Sequence, residues 1–198
     1  MKLAAIIPIK ALATSKSRLS KSLSSSERIS LSLNLLEHVL ATAINCPFEY
    51  VLVLGKDREV EELVNNTGAE WVTDNGNGLN EELKIVFDRL SSSNITPVYI
   101  PADLPFLSAQ DIERLISDSQ GGKIITLCPD NRNEGTNGLV IPSRSSFQPL
   151  LGYRSFPRHV SAAESLDLPY AICKSEGWGL DLDSPDDLEI VKQKAPYF

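Results

Sequence analysis

The sequence predicts an α/β fold with a mostly parallel central sheet and helices on both faces. Short apolar runs bounded by turn residues recur at 3–7, 50–54, 97–100, 123–127 and 138–141, each the length of a buried strand. Segments with helical spacing lie between them, and such β-α-β-α alternation leads to a parallel sheet covered on both sides. The 198 residues show no break in composition, so the reading is a single domain over 1–198.

The first helix has the clearest signature. Ile29, Leu33, Leu36, Leu40 and Ile44 form one stripe, and Ser24 followed three residues later by Glu27 reads as a capping box. Further helices are expected over 57–66, 80–90 and 108–117, the last with Ser108 as its cap and Asp111 near the positive helix end. A final helix follows Ser184, with Pro185 at its first position and Asp186 and Asp187 in its first turn.

Composition excludes several classes of function. Nineteen basic against 26 acidic residues give a net charge of −7, which repels nucleic acid polymers and anionic membranes. Cys46, Cys128 and Cys173 are odd in number and lack a Cys-x-x-Cys spacing, so they suggest neither a disulfide framework nor a zinc site, but thiols in a reducing cytoplasm. The apolar run 3–7 ends at Pro8 and reads as a first strand, not a leader, and no stretch approaches the ~18 apolar residues that a membrane helix needs.

In parallel sheets ligands bind beyond the carboxyl ends of the strands, which directs attention to the loops leaving those ends. The first run continues into Pro8, Ile9 and Lys10 and then into Ser15-Lys16-Ser17-Arg18-Leu19. Three cations with neighbouring hydroxyls suit a triphosphate, although a solvated basic loop would have the same composition. Gly-x-x-x-x-Gly-Lys is absent, so this is not a Walker loop.

Asp103 follows the 97–101 run, where a strand-end carboxylate suits a metal. Asp181 and Asp183 are two residues apart and share one side of an extended segment. Magnesium takes oxygen ligands of this kind; the competing reading makes Asp183 and Ser184 helix caps and leaves Asp181 in solvent. The turn Gly78-Leu79-Asn80 either lets backbone approach a base or ribose or simply starts a helix with Asn80 as its cap. Glu134 to Gly138 and the loop-rich stretch 152–159 supply hydroxyls and cations for a phosphorylated carboxylate, or are ordinary turns. His159 by itself reads as a structural hydrogen-bonding residue.

Together, Pro8-Ile9-Lys10, Lys16-Ser17-Arg18-Leu19, Gly78-Leu79-Asn80, Ala102-Asp103-Leu104-Pro105, Gly135-Thr136-Asn137, Ser155-Phe156, Arg158-His159 and Asp181-Leu182-Asp183 resemble the phospholactate guanylyltransferase family, in the same order and over nearly the whole chain. The resemblance implies a Rossmann-like nucleotidyltransferase fold and transfer of GMP from GTP, with release of pyrophosphate, in coenzyme F-420 biosynthesis. It implies 2-phospho-L-lactate, phosphoenolpyruvate or 3-phospho-D-glycerate as acceptor. Asp103, Asp181 and Asp183 then look like magnesium ligands, with Asp103, Lys16 and Arg18 as the catalytic set. Pro8, Lys10, Lys16, Arg18, Gly78, Leu79 and Asn80 would meet the nucleotide, and Thr136, Gly152, Ser155, Arg158 and His159 the acceptor. A homodimer in the cytoplasm is the expected assembly.

One stretch departs from the family pattern: Leu151-Gly152-Tyr153-Arg154 replaces a Phe-Gly-Pro-like run and adds the cation Arg154. Two other readings remain at this point. One is a nucleotidyltransferase acting on a sugar phosphate or a molybdopterin, and the other is a non-catalytic nucleotide-binding module.

Overall fold

The computed structural model describes residues 2–194. Its strands are β1 (Lys2–Pro8), β2 (Tyr50–Gly55), β3 (Glu70–Thr73), β4 (Ile95–Tyr99), β5 (Ile125–Pro129), β6 (Thr136–Val140) and β7 (Tyr170–Ile172). They form one sheet in the order β3-β2-β1-β4-β6-β5-β7. Only β6 runs against its neighbours, pairing antiparallel with both β4 and β5, so the predicted mostly parallel sheet is the observed one.

All five expected runs are strands. β3 and β7 were not expected, and both are short edge strands whose side chains are half-buried or exposed, so neither needs a continuous apolar run. The helices are α1 (Ser25–Ile44), α2 (Arg58–Asn65), α3 (Leu79–Ser92), α4 (Ala109–Asp118), α5 (Ser155–Ser165), α6 (Glu176–Gly179) and α7 (Pro185–Lys194). Both halves of the Ser24–Glu27 box form at α1, and Ser108 and Asp111 make an equivalent pair at α4. The stretch 152–159, expected as loop, instead enters α5 at Ser155. Pro157 disguises the helix in the sequence, but it lies in the first turn, where a missing N–H costs nothing.

The pleat of β1 sorts the core into two layers. Leu3, Ala5 and Ile7 face α1, α2 and α4, whereas Ala4 and Ile6 face α3 and α5. A third, smaller cluster packs Leu188 and Val191 of α7, with Leu182, against Leu31 and Leu35 on the outer side of α1 and against Leu19. Among the described residues no helix is long and apolar enough to cross a membrane.

This topology gathers chain segments on one rim. The carboxyl ends of β1, β2, β3 and β4 lead to Lys10, Lys56, Asp74 and Asp103, and the reversal of β6 brings its amino end, Thr136, to the same edge. The pairing of β5 with β6 shifts there: Cys128 opposes Gly138, but Pro129 opposes Thr136, so Asn137 is the extra residue of a β-bulge.

Gly138 sits where the layers pack closely. A Cβ there would lie 2.8 Å from the Cys128 Sγ and 3.1 Å from the Trp178 ring. Gly138→Ala is expected to destabilise the fold by about 1–3 kcal/mol, read as a lower urea midpoint at unchanged slope.

Candidate active site

A cavity of about 540 Å³ opens along the rim where the strand ends meet. Its centre is built on Lys16. The backbone there is left-handed (φ 49°, ψ 34°) at the start of a short 3-10 turn over Ser17–Leu19, an uncommon conformation for a side-chain-bearing residue. The side chain is 6% exposed, and its Nζ lies 2.6 Å from Asp103 Oδ2 and 3.3 Å from Asp183 Oδ1. Burial alone would lower the lysine pKa, but the two carboxylates outweigh it and hold the value above the ordinary one, so Lys16 is charged.

Asp181 and Asp183 reach the cavity because the segment between α6 and α7 is pinned to the end of β4. The Leu182 amide donates to the Asp103 carbonyl at 3.0 Å, and the Leu182 side chain is fully buried. Period-two alternation turns its neighbours the other way. Asp181 Oδ1 accepts from Asn137 Nδ2 at 3.1 Å, and Asn137 also donates to the Trp178 carbonyl. Burial raises the Asp181 pKa, and the Asp103 and Asp183 charges add to it, partly offset by the Asn137 bond. Asp183 does not cap α7. Ser184 and Asp187 form that cap, leaving Asp183 to Lys16 and, at 3.5 Å, to Arg18.

These carboxylates fit a hard divalent cation in donor chemistry: all are oxygen ligands lining one cavity, and their mutual repulsion favours a counter-cation. Among the described residues no three acidic, histidine or cysteine side chains form a ready metal cluster, and Lys16 provides the balancing charge.

Thr136, Gly152 and Ser155 line the same cavity. Thr136 and Ser155 are buried at the start of β6 and α5, and Gly152 has φ 111°, which glycine adopts readily. Pro8, Lys10 and Leu79 line the cavity as well, joined by three residues with no distinctive sequence signal: Lys56, Asp74 and Glu82. Glu82 is 2% exposed, and its Oε1 accepts from the Asn75 and Asn77 amides and from Asn77 Nδ2, which fixes the loop that enters α3.

Five predicted residues lie off the cavity lining. Arg18 has a 75% exposed side chain and reaches the site only through Asp183. Gly78 (φ 93°) precedes α3, so Asn80 is not its cap; Asn80 lies in the first turn and exchanges two hydrogen bonds with the Leu151 backbone, at 2.8 and 3.0 Å. Arg158 is exposed, and its guanidinium donates to the Tyr153 carbonyl at 3.5 Å. His159 is fully buried and bonded to Thr136 and Leu150, so it stands behind the wall and not in it. Four of these departures share one cause: adjacency in sequence to a lining residue does not fix which way a helical side chain points.

Burial, reinforced by the nearby Arg158 charge, lowers the His159 pKa to about 4 from 6.5. The unfolded chain takes up this proton first as pH falls, so the stability linked to the neutral ring is full above about pH 6.5 and is lost towards pH 4. Melting temperature should drop over that window, and His159→Gln should flatten that part of the profile.

Residues 3–193 match the family described as "Guanylyl transferase CofC like". The chain is 36% identical to a phosphoenolpyruvate guanylyltransferase of Sphaerobacter thermophilus, over 97% of this chain and 93% of the relative. It is 29% identical to a 2-phospho-L-lactate guanylyltransferase of Methanocaldococcus jannaschii, over 95% and 81%. A solved nucleotidyl transferase from Methanothermobacter shares the fold, with a TM-score of 0.70 at 11% identity over 98% of this chain and 97% of that one. The residues lining the cavity, the topology that gathers them and the match across nearly the full length agree: the chain belongs to the CofC-like guanylyl transferase family.

Proposed function

We propose that this chain transfers GMP from GTP to a small phosphorylated carboxylic acid, as a step in coenzyme F-420 biosynthesis. 2-Phospho-L-lactate, phosphoenolpyruvate and 3-phospho-D-glycerate are the acceptor candidates, and the names of the relatives include the first two. The observation that carries the reading is the meeting of Lys16 with Asp103 and Asp183 in a cavity that Thr136 and Ser155 also line. The enzyme is read as cytoplasmic, with its thiols reduced, and as a homodimer.

An acceptor phosphate oxygen attacks the α-phosphorus of GTP, a new O–P bond forms, and the bond to the β-phosphate bridging oxygen breaks to release pyrophosphate. The acceptor phosphate is already ionised near neutral pH, so no side chain needs to remove a proton. Catalysis then reduces to alignment and charge neutralisation. Lys16, Lys10 and Lys56 offset triphosphate charge from the cavity wall, while Thr136 and Ser155 orient the acceptor. Asp103, Asp181 and Asp183 would hold magnesium, which when bound withdraws charge from the reacting phosphate. Asp74, with one oxygen taken by the Gly76 amide, has the second available for the N1–H and 2-amino group of guanine.

Incubation with GTP, magnesium and each acid, followed by mass identification, should give one diphosphate-linked guanosine product and pyrophosphate. Asp103→Asn should keep the fold and lose at least about a hundredfold in turnover, and EDTA should abolish a rate that added magnesium restores. Unchanged pyrophosphate release in the variant removes Asp103 from the mechanism. Asp74→Asn should extend donor use to xanthosine triphosphate, whose 2-carbonyl accepts from an amide; a donor profile like that of the native enzyme rejects Asp74 as the guanine contact.

A further inference from the structure

We infer that His159 is a positioning residue that fixes the Thr136 hydroxyl as a hydrogen-bond donor to the acceptor's anionic group. The inference rests on the proposed function, because it takes the Thr136 wall as the acceptor side.

The argument runs through a single buried ring. The Leu150 backbone N–H lies 2.8 Å from His159 Nε2 and can only donate, so Nε2 must accept. A neutral imidazole that accepts at Nε2 carries its proton on Nδ1. Nδ1 is 2.9 Å from Thr136 Oγ1, and the hydroxyl oxygen therefore accepts from the ring. The hydroxyl's own proton remains for another partner. Among the described residues Thr136 Oγ1 has no second hydrogen bond, and Thr136 lines the cavity. A cavity ligand with an acceptor oxygen, which a carboxylate or phosphate supplies, can take this proton in place of solvent.

The surroundings hold the ring in this role. Its exposure is zero, Phe147 packs against it with ring centroids 5.7 Å apart, and burial keeps it neutral at working pH. The opposite tautomer would set the Leu150 N–H against a ring N–H. Leu151, the next residue, is gripped by the Asn80 amide from α3, so the rim that presents Gly152 is tied from both sides.

Two substitutions separate the bonds. Asparagine places its amide nitrogen near the position of Nδ1, keeping the donor to Thr136 while losing the Leu150 acceptor. Glutamine reaches the position of Nε2, keeping the Leu150 bond while losing the donor to Thr136. His159→Gln should raise the acceptor KM about tenfold with the GTP KM within about twofold, whereas His159→Asn should leave the acceptor KM within about threefold. In a Thr136→Val background His159→Gln should add no further increase. Equal effects of the two variants, or an undiminished effect of His159→Gln in that background, overturn the proposal.

Nitrogen-15 NMR of histidine-labelled native enzyme reads the tautomer without turnover or substitution. A proton on Nδ1 is the expected result, and a proton on Nε2 overturns the inference even if the variants fail to fold. Native enzyme that converts none of the three acids overturns the acceptor reading itself. That failure shows before any variant is compared, so it is distinguishable from failure of the His159 role.

Discussion

A single backbone hydrogen bond, from the Leu182 amide to the Asp103 carbonyl, joins the two parts of the chain on which the site depends. It anchors the segment before α7 to the end of β4, and the buried Leu182 side chain sets the phase of its flanking residues. Asp181 and Asp183 come from a distant stretch of sequence, and this anchor, together with the bonds to Lys16 and Asn137, sets them beside Asp103. Without that anchor, Lys16 would be a nearly buried ammonium with one carboxylate in place of two, an arrangement that low dielectric penalises. The anchor, the leucine and the lysine are thus one unit, and the chemistry of the rim follows from it.

The rest of the rim is held by polar contacts within the protein. Glu82 gathers the amides of the loop before α3, Asn80 grips Leu151, and His159 spans Leu150 and Thr136. Each satisfies backbone donors or acceptors that a loop at a cavity mouth would otherwise leave open. A nucleotide entering beside α3 and an acid entering beside α5 would meet surfaces already connected through residues 150–152.

Much of the fold was legible because covered strands are continuously apolar and capped helices start with small polar residues. β3 and β7 escaped because edge strands need little apolar character, and α5 escaped because Pro157 masks a helix it does not disturb. In the site, Lys16 and Asp103 were readable from their position after strand ends, and Asp181 and Asp183 from their two-residue spacing in an extended segment. The competing reading of a solvated loop gives way to the geometry of Lys16, and of the two expected caps Ser184 serves α7 while Asp183 faces Lys16. Family membership likewise displaces the molybdopterin and binding-module readings. Lys56, Asp74 and Glu82 were not readable, since each is an ordinary polar residue until tertiary structure turns it inward, and Asn137 was marked by its motif but given no role of its own. His159 was placed on the acceptor by resemblance, whereas its isolated reading as a structural residue agrees with its burial.

The bulge at Asn137 solves a problem that strand geometry poses. Successive residues of a regular strand face opposite sides of the sheet, so Thr136 and Asn137 should not serve the same chamber. One surplus residue in β6 breaks that parity and lets both line it, Thr136 braced by His159 and Asn137 steadying Asp181. A deletion that restored regular pairing would have to give up one of the two, so the irregularity ties the tolerated length of the β5–β6 hairpin to the simultaneous service of both halves of the chamber.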